Sequence, residues 1–487
     1  MIRDLKPYPE YKDSGVEWLG EVPAHWEVRR LRNVVDMRVS NVDKHSKEGE
    51  QPVRLCNYVD VYKQERIRAA MQFMTATATA DEIERFRLKE NDVLITKDSE
   101  AWDDIGVPAL VESAALDLIS GYHLALLRPR CGIIEGAYLL RALQSRPVSY
   151  QFHVEAKGVT RYGLSHQGIK SCLLPLPPLA EQTAIVRFLD YVDRRVGRVI
   201  RGRQRLVGLL EEYKQALIHQ AVTGRIDVRT GQPYPEYKDS GVAWLGQVPA
   251  HWEVRRNAQL FRQRNETGHA ALPVLEVSLK TGIQIRDVLD GSRKQELSDR
   301  DGYKRVLKGE IAYNMMRMWQ GAVGVAPVDG LVSPAYIVAV PRQGVDSRYY
   351  ALLFRIPEYK DEIDRNSRGI VKDRNRLYWE DFKRIESPFP PLPEQTAIVE
   401  YLDEQTGKLD RAVDAARREI ELLKEFRTRL IADVVTGKLD VREVAARLPE
   451  EHVEQVACDE TEPCTVDLLD DTPCSAEFDE SSEEVET

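Results

Sequence analysis

A helical run of 42 residues, Glu181 to Val222, recurs at Glu394 to Val435 without an insertion or deletion, and it constrains the fold of this chain most. Large apolar residues in both copies recur at steps of three and four, the spacing of a heptad seam. Such a helix would be about 63 Å long, far longer than one small domain needs. The sequence therefore predicts two long helices that pack as an antiparallel coiled coil.

The seam positions are apolar in both copies except for a few polar residues. In the first copy they are Ile185, Leu189, Val192, Val196, Val199, Leu206, Leu210, Tyr213 and Leu217. In the second they are Ile398, Leu402, Leu409, Ala412, Ala416, Leu423, Phe426 and Leu430. Arg203, Gln405 and Glu419 are the polar exceptions. We expect Arg203 to lie opposite Ala412 and Ala416, whose small side chains leave it room.

Both helical runs carry start and stop signals. The proline-rich segments PLPPL and PFPPLP precede them, and proline suits a helix start but not its interior. Glu181 and Glu394 then occupy the first turn, where the helix dipole favours a carboxylate. Both runs end in Val-Thr-Gly, which places Gly224 and Gly437 where a left-handed C-cap requires glycine.

A second repeat precedes each variable part of the chain. Residues Pro7–Arg30 and Pro233–Arg256 are identical at 22 of 24 positions. Four of the seven tryptophans lie in these blocks at matching places: Trp18, Trp26, Trp244 and Trp252. We interpret them, with His25 and His251, as anchors that dock each block onto a core rather than as residues that stack on bases.

The regions between block and helix, residues 31–176 and 257–389, differ in length and largely in sequence. Asn91–Thr96 still matches Gly309–Asn314. Short β-branched runs predict strands at Val93–Thr96, Tyr122–Leu127, Leu272–Val277 and Ala335–Val340. Amphipathic stretches predict short helices at Gly136–Leu143 and Tyr349–Arg355. The pattern favours two related, diverged α+β domains.

Each variable region ends in a polar segment with clustered basic residues, KGVTRYGLSH and RNSRGIVKDRNR. Lysine and arginine neutralise phosphates, and arginine can bind guanine O6 and N7 bidentately. A solvated basic loop is the alternative for each cluster. The candidate DNA-binding residues are Lys157, Arg161, Tyr162, Arg365, Arg368, Lys372, Arg374 and Arg376.

The charge distribution divides the chain. Its net charge is −10, but residues 443–487 hold sixteen acidic residues and one basic residue, Arg447. Residues 1–442 therefore carry 68 basic against 63 acidic residues and are mildly basic. We expect the acidic segment, residues 443–487, to be a disordered tail with a solubilising role, and a regulatory role is the alternative.

Other motif classes are missing from the sequence. It contains no GxxxxGK[ST], no HExxH and no zinc-type spacing among its six cysteines, which we expect to be reduced. No apolar run has membrane-spanning length and the first residues, MIRDLKP, lack the apolar core of a signal peptide, so we expect a cytoplasmic protein. Asp92 or Glu310 as a general base would be the enzyme alternative, and it rests on scattered carboxylates only.

Several motifs together resemble the specificity subunits of type I restriction-modification systems. They are the opening YKDSGVEWLGEVPAHWEV, the helix starts LPPLAEQTAIVRFLD and PPLPEQTAIVEYLD, and the endings VTGRIDVR and VTGKLDVR. The resemblance covers most of residues 7–442, and no family role corresponds to the acidic tail. It implies two target-recognition domains, at about 31–176 and 257–389, that read the two parts of a split DNA site.

The resemblance also implies a non-catalytic subunit that directs adenine methylation and DNA cleavage by its partners. Those partners would be two modification (methyltransferase) subunits and restriction (translocase-nuclease) subunits, which would use S-adenosylmethionine, ATP and magnesium. This chain itself is expected to hold no cofactor and no metal. A coiled-coil assembly adaptor without DNA specificity is the alternative function.

These inferences predict an α+β protein with a pseudo-twofold internal repeat and no membrane association. The predicted segments are 1–176 (block and first recognition domain), 177–224 (first spacer helix), 225–256 (linker and repeated block), 257–389 (second recognition domain), 390–437 (second spacer helix) and 443–487 (acidic tail).

Overall fold

The computed structural model describes residues 5–279, 281–286, 300, 302–369 and 375–449. The chain forms two compact units. The first unit consists of the chain up to Leu143, Tyr150–Phe188 and the chain from Val434, and the second consists of Gln144–Ser149 and Leu189–Asp433. Each unit therefore contains one variable region, one repeated block, the start of one long helix and the end of the other.

The order of elements repeats along the chain. The first half contains strands β1 (Tyr11–Asp13), β2 (Glu21–Pro23), β3 (Glu27–Arg30), β4 (Val35–Val39), β5 (Gln51–Cys56), β6 (Arg66–Ile67), β7 (Met74–Ala78), β8 (Val93–Thr96), β9 (Asp98–Ser99), β10 (Pro108–Val111), β11 (Leu118–Ser120), β12 (Leu124–Pro129), β13 (Tyr162–Gly163) and β14 (Leu173–Leu176), and helices α1 (Leu31–Val34), α2 (Tyr58–Lys63), α3 (Ala80–Phe86), α4 (Gly136–Gln144), α5 (Arg146–Glu155), α6 (His166–Ser171) and α7 (Leu179–Val222). The second half contains β15 (Tyr237–Asp239), β16 (Gln247–Pro249), β17 (Glu253–Arg256), β18 (Phe261–Arg264), β19 (Leu275–Ser278), β20 (Gly282–Ile285), β21 (Lys304–Val306), β22 (Ile311–Asn314), β23 (Val323–Val325), β24 (Gly330–Val332), β25 (Tyr336–Pro341) and β26 (Glu386–Phe389), and α8 (Asn257–Leu260), α9 (Ser347–Leu353), α10 (Pro357–Asn366), α11 (Trp379–Phe382), α12 (Leu392–Val435) and α13 (Arg442–Ala446).

The two long helices, α7 and α12, each span 44 residues and begin two residues before the predicted start. Four ion pairs join them within the second unit: Asp193–Arg427 at 3.0 Å, Arg203–Glu419 at 2.8 Å, Glu211–Arg417 at 2.6 Å and Lys214–Asp410 at 2.5 Å. Residue numbers rise along α7 as they fall along α12. The predicted antiparallel pairing is therefore confirmed.

The predicted seam differs from the observed contact in the middle of the helices. Arg203 pairs with Glu419 and not with the small residues expected opposite it. Ala412 is exposed, and Val413 takes the buried position instead. Val199 and Tyr213 are 44% and 58% exposed. Two helices alone cannot enclose a whole apolar stripe, so parts of the seam stay exposed although Val413, Ala416 and Ile420 are buried in the middle of α12.

The repeated blocks attach each variable region to its long helix. β3 pairs with β14 and β17 pairs with β26, in both cases antiparallel and directly before a long helix begins. Trp26 and Trp252 are fully buried, which confirms them as anchors. Trp18 is 41% exposed, so the anchor interpretation is wrong for that residue.

Buried polar contacts hold the start of α7 in the first unit. The Nε1–H of Trp26 donates to Oε2 of Glu181 at 2.8 Å, and Nε2 of His25 lies 2.6 Å from Oε1. Nη1 of Arg442, which follows α12, donates to the same carboxylate at 3.3 Å, as does the hydroxyl of Tyr8. Burial beside this carboxylate raises the pKa of Tyr8 well above its usual value. We call these five residues the Glu181 cluster.

The second unit contains the equivalent Glu394 cluster. Trp252 donates from Nε1 to Oε2 of Glu394 at 2.7 Å, and Nε2 of His251 lies 2.9 Å from the same oxygen. Arg229, which follows α7, donates to Oε1 at 2.7 Å. Each cluster thus joins the first turn of one long helix to the segment that follows the other. A buried carboxylate is tolerated here because several donors surround it.

Two glycines, one at the C-cap of α7 and one in its middle, provide a matched test of packing. Gly224 has φ +73°, and a Cβ there would lie 2.5 Å from Cδ of Pro249. Gly202 lies in the middle of α7, and a Cβ at this position would have no neighbouring atom within 4 Å. We expect Gly224→Ala to destabilise the protein by about 2 kcal/mol or more, through left-handed strain and overpacking. Gly202→Ala should stabilise it by up to about 1 kcal/mol. Denaturant unfolding would measure both changes, and an equal effect at the two sites would contradict the packing described.

The two variable regions share a sheet frame. Strands follow the order β4-β12-β8-β10-β6 in the first and β18-β25-β22-β23 in the second. In both, two central strands that are not consecutive in sequence pair antiparallel, with Leu124 of β12 opposite Thr96 of β8 and Tyr336 of β25 opposite Asn314 of β22. The predicted strand at Val93–Thr96 is observed as β8, and the other predicted elements are shifted by one to three residues. The mixed α+β class is confirmed.

The acidic segment starts with ordered structure. It was expected to be disordered from residue 443, but Arg442–Ala446 forms α13, and Val441, Ala445 and Leu448 are buried. These apolar side chains outweigh the local charge, and residues 450–487 lie outside the described part of the chain. Of the six cysteines, Cys56, Cys131 and Cys172 are free thiols, and the others lie in the same undescribed segment.

Candidate nucleic-acid interface

The basic segment of the first variable region forms a closed loop. Lys157 and Gly163 exchange backbone hydrogen bonds of 3.2 and 3.0 Å, and β13 then pairs with β9. Gly158 has φ +155°, and a Cβ there would lie 1.9 Å from the carbonyl oxygen of Arg161, so only glycine fits this turn. Val159 is 89% exposed. The loop is therefore anchored at its base and open at its tip.

The second variable region closes its basic segment in the same way. Arg368 and Arg376 exchange backbone hydrogen bonds, both of 3.0 Å. Nη2 of Arg368 donates to Oδ1 of the buried Asp381 at 2.5 Å, so this guanidinium is bound to the body of the domain. Arg365 pairs with Glu362 at 3.0 Å. Both side chains therefore already have acidic partners.

Both loops attach to the same point of the frame. The backbone N–H of Leu164 donates to the carbonyl of Lys97 at 2.9 Å, and that of Leu377 donates to Met315 at 2.8 Å. Lys97 and Met315 each follow the last residue of the central strand, β8 or β22. The loops of the two domains are therefore structurally equivalent although their sequences differ.

The structure places six of the eight predicted DNA-binding residues. Lys157, Arg161 and Arg376 are exposed, Tyr162 is half-buried, and Arg365 and Arg368 are exposed but ion-paired. Lys372 and Arg374 lie outside the described residues. The six described residues lie on the two closed loops or, for Arg365, on the helix that leads into one. Their contact with DNA remains a prediction.

Asp92 and Glu310, the enzyme alternative, are bound in structural ion pairs. Asp92 accepts from Nε and Nη2 of Arg128 at 2.8 and 2.7 Å and from the backbone N–H of Lys89. Glu310 likewise accepts hydrogen bonds from Nη2 of Arg264 and from the backbone N–H of Leu307. The hydrogen bond with Asp92 raises the pKa of Arg128. These carboxylates stabilise equivalent turns, in which each accepts from a backbone N–H three residues before it.

Sequence reasoning missed two residues beside the first loop. Asp98 and His123 lie where β9 and the start of β12 meet the loop, and His123 has φ +69°. The strand predicted from Tyr122 begins instead at Leu124. A histidine in left-handed conformation leaves no sequence signal of its own, and its partners are distant along the chain. Among the described residues, no group of histidine, cysteine, aspartate or glutamate is arranged to hold a metal ion.

Comparison with known proteins agrees with this architecture. Residues 23–203 match a family model described as the type I restriction modification DNA specificity domain. A putative type I restriction enzyme specificity subunit of Methanocaldococcus jannaschii is 22% identical over 457 residues, which cover 91% of this chain and 100% of that protein. The EcoBI specificity subunit of Escherichia coli is 24% identical over 311 residues, 59% of this chain and 62% of that protein.

A solved structure has the same fold. A chain from work on complex assembly and conformational transition of the type I R-M system superimposes with a TM-score of 0.61 at 17% identity, covering 86% of this chain and 99% of that one. Two recognition domains on paired helices, together with the matched family model, define a DNA-specificity protein. Residues 23–203 thus match the DNA specificity domain of type I restriction modification systems, and the chain as a whole is similar to the specificity subunits of those systems, a non-catalytic family. These matches support a DNA sequence-recognition subunit. No helix in the described ranges is both long and apolar enough to cross a membrane.

Proposed function

We propose that this chain reads a bipartite, asymmetric DNA site and directs adenine methylation and DNA cleavage by its partners. The observation that carries the proposal is that two domains with one frame present unlike loops at the same point, Lys157–Gly163 in one and 368–376 in the other. Unlike loops on a shared frame suit two different half-sites. The helices between them suit a fixed gap.

The partners are two modification (methyltransferase) subunits and restriction (translocase-nuclease) subunits, acting with this chain on cytoplasmic DNA. Support comes from the family to which the chain is similar. S-adenosylmethionine, ATP and magnesium would be used by those partners and not by this chain. The alternative, an assembly adaptor without DNA specificity, is not favoured, because it gives no reason for two divergent loops.

Duplex DNA binding by the full chain, with and without modification subunits, tests this proposal. We expect Arg161→Ala and Arg374→Ala each to weaken binding, because arginine side chains neutralise phosphates or bind bases. Affinity should fall as salt rises, with a slope of roughly −0.9 per phosphate contacted. Filter binding across a salt series would measure both effects.

Lys408→Ala is the matched control. Lys408 lies on α12 and pairs with Glu404 at 2.7 Å, so this variant removes one positive charge from a residue that belongs to neither loop. It should leave affinity within about twofold of the unchanged chain, since exposed ion pairs contribute little. If neither loop variant differed from Lys408→Ala, the loops would not be the DNA-binding surface. If the chain and its complex bound no duplex at all, the adaptor alternative would stand.

A further inference from the structure

Three side chains from distant parts of the first recognition domain form a hydrogen-bonded chain. Nδ1 of His123 lies 2.6 Å from Oδ2 of Asp98, and its Nε2 lies 3.2 Å from Nη2 of Arg161. The carboxylate is an acceptor only, so it requires the proton on Nδ1 and leaves a lone pair on Nε2 for the guanidinium. Arg161 is therefore held at one nitrogen. Among the described residues, no second hydrogen bond engages its other donors.

Backbone contacts fix these three hydrogen-bonded side chains in place. The N–H of Lys97 donates to the carbonyl of His123 at 2.9 Å, and β13 pairs with β9 through Gly163 and Asp98. His123 adopts φ +69°, a left-handed conformation that is strained for a residue other than glycine. Strain of this kind persists only where the surroundings enforce it, and it is concentrated at functional sites. The position of Arg161 is thus preorganised.

The second domain keeps the frame but lacks this chain of contacts. In the second domain, the backbone N–H of Met315 donates to the carbonyl of Ala335 at 3.4 Å. This bond corresponds to the one from Lys97 to His123 in the first domain. Alanine therefore occupies the histidine position, and Met316 occupies that of Asp98. Residues needed only to build the frame would be expected in both domains. The Asp98–His123–Arg161 chain is instead particular to what the first domain recognises.

The surface around Arg161 is suited to bases. Tyr122 is 50% exposed, and its ring centroid lies 3.8 Å from that of His123. Tyr58 and Tyr62 stack with centroids 5.6 Å apart, and Tyr58 hydrogen-bonds Ser99 at the base of the loop. Exposed aromatic rings beside a fixed guanidinium provide apolar contact next to directional donors. A loop that contacted only phosphates would not require such rings.

We propose that Arg161 reads a guanine in the half-site bound by the first recognition domain, with His123 and Asp98 as positioning residues. The inference rests on the proposed function, that each domain reads one half-site. The free N–H donors of Arg161 match the O6 and N7 acceptors of guanine in the major groove. Lys157, on the same loop, carries a point charge without the planar fork and contacts phosphate instead.

Selection from a pool of random-sequence duplexes, using the full chain with modification subunits, tests the assignment. We expect Arg161→Lys and Arg161→Ala to lose a roughly 5-fold to 150-fold preference for guanine at one position of one half-site. Asp98→Asn should weaken the preference at that same position without lowering the melting temperature. If Asp98 had only a structural role, the substitution would lower the melting temperature and leave the preference at that position unchanged. The half-site read by the second domain serves as an internal control for folding.

Lys157→Ala is the matched control from the same loop. It should lower affinity for all sequences alike and reduce the salt slope by about one phosphate contact, while the selected site stays the same. An unchanged site selected by Arg161→Lys and Arg161→Ala would overturn the inference and leave the proposed function intact. A first half-site without guanine would overturn it equally. If the unaltered chain selected no site, the proposed function would fail and this inference with it.

Discussion

Deletion of one heptad from each long helix is expected to shorten the gap between the two half-sites by about three base pairs. Residues 199–205 of α7 and 418–424 of α12 lie between the ion pairs Asp193–Arg427 and Glu211–Arg417. Their removal takes away Arg203 together with its partner Glu419 and preserves the remaining pairs. Seven residues shorten a helix by roughly 10 Å, and B-DNA rises about 3.4 Å per base pair.

Methylation-site mapping in cells that express each variant would measure the gap. The bases of each half-site should remain unchanged, although rotation about the duplex could displace the optimal gap. Exchange of residues 31–176 for the same region of a relative is the complementary control, and it should change one half-site while the gap is retained. If heptad deletion altered the bases read and left the gap intact, the helices would not set the spacing.

Truncation of an anchoring tryptophan is expected to produce the largest loss of stability from a single substitution. Trp26 is fully buried and donates to Glu181 at 2.8 Å. Trp26→Ala should therefore cost about 3–5 kcal/mol through the cavity, in addition to the lost hydrogen bond. Trp252→Ala should cost a similar amount, because it makes the equivalent contact with Glu394 at 2.7 Å.

Trp18→Ala, in the same repeated block, is the matched control. Its side chain is 41% exposed, so the change should stay within about 0.5–1 kcal/mol. Denaturant unfolding would measure each loss in the free energy of unfolding, and hydrogen exchange would show which part of the protein is destabilised. Protection should be lost first in the unit that contains the altered tryptophan. Equal losses in both units after Trp26→Ala would show that its role is not local to the Glu181 cluster.

The helices and blocks could be predicted because their signals are local and occur twice. Proline before α7 and α12, glycine after them and the apolar period all act within a few residues. The antiparallel order followed from the repeat. The partner of Arg203 did not, because the axial register of two helices depends on how the connected domains close, and no residue near Arg203 encodes that.

The candidate interface was predicted in part. Basic residues on the loops were visible as composition, but their availability depends on partners remote in sequence. Arg368 is bound to Asp381, whereas Arg161 is held by His123, 38 residues away. Trp18 and Trp26 look equivalent in the sequence, yet only Trp26 reaches a core. Burial of a given aromatic is decided by tertiary packing, which a single sequence does not specify.

The closure of the first unit by the segment after α12 has a consequence for synthesis on the ribosome. The hydroxyl of Tyr11 donates to the carbonyl of Gly437 across 426 residues, and Arg442 reaches Glu181 across 261. In the second unit the matching contact from Arg229 to Glu394 spans 165 residues. Contacts so distant in sequence form late. The first unit, most of which is synthesised first, therefore cannot complete its packing around Trp26 until the segment from Gly437 to Arg442 has been translated. The half begun later can complete its own cluster sooner.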